Sequence, residues 1–509
     1  MPTASGIASS GALEMMASMS EATFIAVDLG AGSGRVMAAT TDLETLRLEE
    51  VHRFDNPGVD LPGGWFWNIH GLYLEILEGL RRAVAAHGRS IVSIGIDTWG
   101  CDHALLAADG RLLGMPHQYR DPRSDGMADV MHAILPEETI YAHTGIRTNF
   151  YNSSLHLLAE LRRDNPALHH ASRLLFIPDL LSYWLTGRMA VERTIASTSQ
   201  LLDPHTGDWA WQVIDALGLP RHVFGAIVAP GTVLGPLRDE VGAHIGQSDI
   251  PVIATASHDT ASAVAGIPME GGEQLWLSSG TWSILGMESP VPITTPTALA
   301  AGFCNELGAD GGVRFLKNIA GLWVLQECRR QWEHEGQPLD YPTMTRMAAQ
   351  APAFTAFVDP DDPVFATPGD MPGKIREWCR RTGQPVPADP GAVLRVATES
   401  LALKSRAVYE SIVALTGRRF TRLHVGGGGI RNEPLCQATA DALGIEVVAG
   451  PVEATSCGNI AVQLVASGML ADLAAARSLI RRSFEFRTHQ PRDPAAWEDA
   501  FGRFRRLTA

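Results

Sequence analysis

Lysine is almost missing from this chain of 509 residues: only Lys317, Lys374 and Lys404 occur. A Walker A loop needs Gly-Lys followed by Ser or Thr. The one Gly-Lys pair, Gly373-Lys374, is followed by Ile375, so a nucleotide bound here is not held by a P-loop. The Gly-rich loop and lysine strand of protein kinases are missing too. Positive charge in general is short, with 41 Lys and Arg against 56 Asp and Glu, a net charge of −15. The arginine pairs Arg162-Arg163, Arg329-Arg330 and Arg418-Arg419 are too sparse for a phosphate-tracking face, so no nucleic-acid partner is expected. A small anion is not excluded, because a local site can oppose the global field.

Other absences narrow the reading further. The six cysteines are scattered and form no C-x-x-C pair, which argues against a zinc site or a disulfide framework and for a reducing cytoplasm. No run of ~18 apolar residues exists, so no membrane span is expected. Residues 1–22 lack the basic start and apolar core of a signal peptide. They read as a disordered extension, or as an upstream start with Met19 the natural beginning. No G-x-S-x-G elbow follows a strand, and no H-E-x-x-H motif occurs.

What is present is an α/β pattern long enough for two domains, since single cores stop growing near ~250–300 residues. Phe24 to Asp28 reads as a strand, Leu29 to Gly34 as a Gly-rich turn, and Arg35 to Ala39 as its hairpin partner. Residues 70–87 have helical period, with Leu72, Ile76, Leu80 and Val84 on one face. Strands follow at 91–97 and 251–256. Pro268 and Gly271-Gly272 mark a boundary, dividing the chain into lobes 23–266 and 267–509. After it the hairpin recurs, 274–277 and 282–286 around Ser278-Ser279-Gly280-Thr281, which hints at a duplicated fold. Residues 351–392, rich in Pro, Asp and Gly, read as a surface excursion. A long helix at 392–415 buries Val393, Ala397, Leu401, Val408, Ile412 and Leu415. A strand at 423–425 runs into Gly426 to Gly429, and a helix begins at a capping Asn432.

Seven places carry candidate chemistry, each with a plainer alternative. Asp28 beside Gly30 to Arg35 offers a carboxylate for Mg²⁺ and backbone N–H groups for phosphate, or is a hairpin whose glycines only permit φ > 0. Ser278 to Thr281 either cradles phosphate or is an ordinary turn. The run 426–429 either admits a ligand or is a flexible turn. Asp259, in His258-Asp259-Thr260, is placed as a general base or as a helix N-cap. Asp97-Thr98-Trp99-Gly100 ends a strand, with Trp99 against a sugar or in the core. Asn318 and Gln326 offer amides to a polyol or nucleotide, or are surface residues. Tyr119 to Arg123 lines a substrate pocket or holds a structural Arg–Asp pair.

The order of these motifs resembles the FGGY carbohydrate kinases, and within them the rhamnulokinases. The similarity runs through Val27-Asp28-Leu29-Gly30 and Ser33 to Met37, Gly95 to Gly100, Ala256 to Ala263, Leu277 to Ser283, Leu316 to Trp323 and Gly450 to Ala454. It spans residues 23–470. The resemblance implies an actin/hexokinase-like ATPase fold, two ribonuclease-H-like lobes around a central cleft. The first lobe, 23–266, would bind sugar and the second, 267–509, nucleotide, hinged near residue 266. It implies transfer of the ATP γ-phosphate to the 1-hydroxyl of L-rhamnulose, with L-fuculose or xylulose as other ketoses and a catalytically silent sugar sensor as a distant alternative. Ala31, Gly32, Ser33, Gly34, Arg35, Thr281, Gln326 and Gly428 would contact ATP. Gly100, His258, Asp259, Thr260 and Asn318 would line the ketose, with Asp259 the proton acceptor and Asp28 the holder of Mg²⁺ through water. A cytoplasmic monomer or homodimer is expected, with a ketose and ATP as its partners. The chain departs from the pattern at Gly32, where a Ser is expected, at Cys101, where a Val is usual, and in a glycine run longer by one. The last leaves Gly427 and Gly428 both open as the nucleotide contact.

Overall fold

In the computed structural model the described residues are 21–508. The expected disordered extension lies outside them up to residue 20, and its last residue, Ala22, already belongs to the first strand. Among the described residues packing gives two compact units, the first ending at 268 and joined by 288–315 and 454–484, the second made of 269–287, 316–453 and the stretch from 485 onward. Where the sequence reading drew one cut, the chain passes between the units several times.

The first unit is built on a six-stranded sheet. β1 (Ala22–Leu29) pairs antiparallel with β2 (Ser33–Thr41), which pairs antiparallel with β3 (Leu46–Asp55). Helix α1 (Ile69–His87) buries Leu72, Ile76 and Leu80, as its period requires; Val84 is only half-buried. β4 (Ile91–Thr98) runs parallel to β1 on its other side. β5 (Thr232–Pro236) is one edge strand and β3 the other; β5 is antiparallel to β6 (Pro251–Ala254), which runs parallel to β4. Every residue of β1 is buried, as a central strand covered on both faces demands. Because β1, β4 and β6 are parallel, their carboxyl ends open on one edge, where ligands bind in open α/β sheets. Helix α2 (Asp259–Gly266) follows β6.

The second unit begins with β7 (Gln274–Ser279) and β8 (Trp282–Ser289), an antiparallel pair. The chain passes through the first unit in β9 (Cys304–Leu307) and the start of β10 (Val313–Ala320). It continues through α3 (Trp323–His334), α4 (Met371–Arg381) and α5 (Pro390–Thr416) to β11 (Arg422–Gly426), which runs parallel to β7. Then α6 (Glu433–Leu443) leads to β12 (Glu446–Ala449), parallel to β11, and α7 (Ala454–Ala466) returns to the first unit. The pairing of β7 with β8 and β11 repeats that of β1 with β2 and β4, so the hinted duplication is a duplication of topology.

Two expectations need correction. Residues 351–392 are not a surface excursion: Ala356, Val358, Phe365, Met371, Ile375 and Trp378 are buried in one core with α3 and α5. The Pro and Asp residues that suggested a loop start its helices; Asp362, Asp370 and Asp389 each cap one, with Pro in the first turn. In α5, Leu415 is half-buried rather than core, whereas Val393, Ala397, Leu401, Val408 and Ile412 are buried.

Candidate active site

Two carboxylates stand side by side where β1 and β4 end. Asp28 and Asp97 are register partners on these parallel strands. Asp28 also faces Arg35 across the hairpin, whose Nε donates to Oδ2 at 3.1 Å, and Ser456 Oγ donates to the same oxygen at 3.3 Å. Asp97 is fully buried. Its Oδ2 accepts Asn459 Nδ2 at 2.6 Å, while its Oδ1 has no protein partner. Gln463 steadies Asn459, donating to its Oδ1 at 2.7 Å and to the Ile25 carbonyl at 3.0 Å, and accepts from Ser93 Oγ at 2.6 Å. A Cβ on Gly95 would strike both amides, which explains a glycine inside β4. Burial, and next the charge of Asp28, holds the Asp97 carboxyl well above the ordinary range.

The turn between β1 and β2 is braced from one side and open on the other. Gly30 N–H donates to Ser33 O at 2.9 Å. Asn56, which the sequence reading missed, donates through Nδ2 to Gly30 O at 2.9 Å and through its backbone N–H to Gly32 O at 3.2 Å. A Cβ on Gly34 would run into Phe54 and Leu29, whereas one on Gly32 meets nothing within 4 Å. Ala31 is half-buried, and Gly32 and Ser33 are exposed.

His258, rather than Asp259, is the N-cap of α2, so Asp259 is released from the capping role and stands in the first turn. The Asp259 side chain is 30% exposed, with Oδ1 3.4 Å from His258 Nε2. Thr260 Oγ1 lies 3.0 Å from the same oxygen. Burial raises the Asp259 carboxyl above its ordinary value; His258 opposes this and Asp28 adds to it. Gly100 lies beside this pair: a Cβ there would sit 3.3 Å from His258 Nε2. Buried Glu192 accepts the N–H groups of Thr194, Ile195 and Ser257, at 2.8, 3.2 and 3.1 Å, and so fixes the backbone leading into His258. On the far side of the ring, His258 Nδ1 is 3.2 Å from Glu306 Oε2.

Trp99 belongs to the core. Its indole and that of Trp67 both donate to Asp102 Oδ2, at 2.9 and 2.6 Å. The Arg–Asp pair of the 119–123 segment is structural. Asp121 accepts from Trp65 N–H and Arg123 N–H, and the buried Arg123 lies 3.4 Å from its Oδ1.

In the second unit the turn joining β7 to β8 holds the start of α3. Leu322 and Trp323 N–H groups donate to the Gly280 and Thr281 carbonyls at 3.0 and 3.1 Å. Thr281 Oγ1 donates to Gln326 Oε1 at 3.2 Å, so these two candidates are neighbours. Gly426 is buried, and the other three glycines divide by contact: a Cβ on Gly427 or Gly429 would strike Ser279, while one on Gly428 meets nothing within 4 Å. Gly428 is thus the member with an open face. Asn318 is exposed on β10. Two of the three lysines are engaged away from these turns: Lys404 lies 2.8 and 2.9 Å from Asp359 and Asp361, and Lys374 donates to Thr367 O at 2.6 Å.

Among the described residues no group of three or more His, Cys, Asp and Glu side chains forms a ready-made metal site. Asp28 and Asp97, register neighbours of which Asp97 Oδ1 is buried without a protein partner, nonetheless suit Mg²⁺. That ion takes one or two protein carboxylates and leaves its other positions to water and substrate phosphate. No helix of the described residues is long and apolar enough to cross a membrane.

A β-hairpin sheet repeated in both units, with Asp28 and Asp97 where two strands of the first unit end, is the fold of the actin/hexokinase-like ATPases. Solved sugar-kinase structures share it: xylulose kinase from Lactobacillus acidophilus (TM-score 0.81, 15% identity, 95% of this chain and 97% of that one) and Plasmodium falciparum glycerol kinase with ADP (0.79, 16%, 96% and 97%). The chain belongs to the FGGY family of carbohydrate kinases, whose N-terminal domain matches residues 23–266 and whose C-terminal domain matches residues 275–467. It is therefore an enzyme, a carbohydrate kinase with ATP as co-substrate. It is 45% identical over 482 residues to the rhamnulokinase of Bacteroides thetaiotaomicron, covering 95% of this chain and 98% of the relative. To the rhamnulokinase of Enterococcus faecalis it is 40% identical over 92% of this chain and 94% of the relative.

Proposed function

We propose that this kinase transfers the γ-phosphoryl group of ATP to the 1-hydroxyl of L-rhamnulose, giving L-rhamnulose 1-phosphate and ADP. Identity of 40–45% to rhamnulokinases along nearly the whole chain is the observation that carries the choice of ketose. We further infer that the enzyme works in the cytoplasm as a monomer or homodimer, which its six free, buried cysteines suit.

Phosphoryl transfer asks little covalent chemistry of a protein; it needs positioning and charge compensation. Asp259 takes the proton of the sugar hydroxyl as that oxygen attacks the γ-phosphorus and the bond to the β-phosphate oxygen breaks. Its raised affinity for a proton and its partial exposure suit it to a general base. Gly100, His258, Thr260 and Asn318 hold the ketose. The open turn Ala31 to Arg35, the Thr281–Gln326 pair and the free face of Gly428 hold the nucleotide through N–H groups, hydroxyls and an amide. Asp28, through water, would hold Mg²⁺, with Asp97 beside it. The ion would supply the positive charge on the phosphates that a P-loop lysine supplies elsewhere.

Replacing the base is the sharpest test of these roles. Asp259→Asn is expected to fold, keep ATP affinity within about twofold and lose roughly 10²–10⁴ in kcat. Turnover close to that of the unmodified enzyme would refute Asp259 as the proton acceptor.

A further inference from the structure

Behind His258 lies a buried ion pair that the phosphoryl-transfer chemistry above leaves without a role. Arg314, on β10, is 1% exposed in its side chain. Its Nη2 donates to Glu306 Oε2 at 2.9 Å and its Nε to the Leu307 carbonyl at 3.1 Å. The same Glu306 oxygen is 3.2 Å from His258 Nδ1, and Arg314 Nη2 is 3.1 Å from that nitrogen. On the other side of the ring, Nε2 is 3.4 Å from Asp259 Oδ1. A chain of four charged or titratable groups therefore ends at the proposed base.

The hydrogen-bond roles in this chain follow from elimination. Burial alone would push the Glu306 carboxyl up, but Arg314 and then His258 outweigh it and hold it at about 2. Glu306 is therefore an anion that can only accept. Arginine can only donate. If Nδ1 accepted from Arg314, its lone pair would face the Glu306 carboxylate at 3.2 Å, acceptor against acceptor. If Nδ1 carries the proton, it donates to Glu306, and Arg314 keeps its own bond to the same carboxylate. The second arrangement satisfies both contacts. It leaves the lone pair of neutral His258 on Nε2, facing Asp259 Oδ1 at 3.4 Å, so that a single proton on either atom joins the two.

We propose that Glu306 and Arg314 are positioning residues that lock His258 in its Nδ1–H form, so that Asp259 and His258 act as one proton-accepting pair. This rests on Asp259 as the proton acceptor. The sugar O–H bond breaks and an Asp259 O–H bond forms; that proton then passes to His258 Nε2, restoring the Asp259 carboxylate. The imidazolium so formed is held between two carboxylates, Asp259 and Glu306. The charged groups around the pair are Asp28 and Asp97 at the strand ends, Glu192 behind the Ser257 backbone, and Arg314. Burying a carboxylate and a guanidinium costs desolvation that their pairing offsets only in part, so a stability role alone explains the pair poorly and an orienting role fits it.

The test is the tautomer itself, read by long-range ¹H–¹⁵N correlation on enzyme labelled with ¹⁵N-histidine, with His258→Gln assigning the signal. The expected spectrum shows Nδ1–H for His258 in the unmodified enzyme and loss of that pattern in Glu306→Gln. In the same variant kcat is expected to fall about 10–100-fold while KM for ATP stays within about twofold. The double variant Glu306→Gln/Arg314→Met removes both buried charges. It should show the same kcat loss even if the single variant folds poorly. An Nε2–H tautomer in the unmodified enzyme, or unchanged kcat in a folded variant, would overturn the proposal. Asp259→Asn distinguishes the layers: full turnover there removes the base on which the pair depends, whereas the tautomer reports on Glu306 regardless.

Discussion

Asp102 shows how much one buried side chain can organise. One carboxylate oxygen accepts two indole N–H groups and the Tyr119 backbone N–H, and the other has no protein partner. Burial pushes its carboxyl up to about 7, against the opposing pull of the two indoles. The folded value lies above the ordinary 3.8, so the folded state binds the proton more tightly than the unfolded chain. Stability from this group is complete below about pH 4 and is lost as pH rises through about 7. Asp102→Asn keeps an acceptor for the indoles and cannot ionise. The Tm of the unmodified enzyme minus that of the variant should therefore shrink between about pH 5 and pH 8. A difference that stays constant with pH would contradict the assignment. At this scale the sequence reveals residues whose partners are adjacent: His258 beside Asp259, or Asp28 within its turn. Asn56, Glu306, Arg314 and Asn459 stayed hidden because the site groups they reach are distant in the chain; Arg314 and His258 are 56 positions apart, Asn459 and Asp97 362.

Elements read well where period or capping sets them and poorly where composition misleads. The apolar period of α1 and the Asn432 cap of α6 were legible, since Asn432 Oδ1 does accept the Leu435 N–H at 3.2 Å. The 351–392 segment was not, because Asp-Pro helix starts resemble turns until the buried faces of α3, α4 and α5 are brought together. The small residues of α2 and α7 serve a close crossing. A Cβ on Gly458 would collide with the Ser262 carbonyl, and one on Gly266 with the Ala454 carbonyl, so these helices cross with backbones in contact. Gly458→Ala should cost roughly 1–3 kcal/mol or more of stability. Gly428→Ala, where a Cβ meets nothing within 4 Å, should leave Tm unchanged and raise KM for ATP about tenfold. Thermal melts and ATP titrations of the two variants check this contrast. Equal Tm values, or an unaltered KM in Gly428→Ala, would count against the reading of each glycine.

For the whole molecule, the charge of −15 and the scarcity of lysine become a statement about how a nucleotide is bound. Lys374 and Lys404 are engaged in local contacts, and under the proposed function N–H groups, hydroxyls and a divalent cation would carry the phosphates. Chelation with excess EDTA should stop turnover, and added Mg²⁺ should restore it. The duplicated hairpin sheet and the order of motifs were legible because each repeat is local in sequence. The packing of 288–315 and 454–484 with the first unit is long-range, and no local pattern announces it. The account stands or falls on one measurement: ADP release by the purified enzyme with Mg²⁺-ATP across L-rhamnulose, L-fuculose and xylulose, with ³¹P NMR locating the new phosphate. The expected result is the highest kcat/KM with L-rhamnulose and a phosphate ester at its C1 oxygen. A higher kcat/KM with another ketose, a phosphate elsewhere on the sugar, or sugar binding without ADP would contradict it.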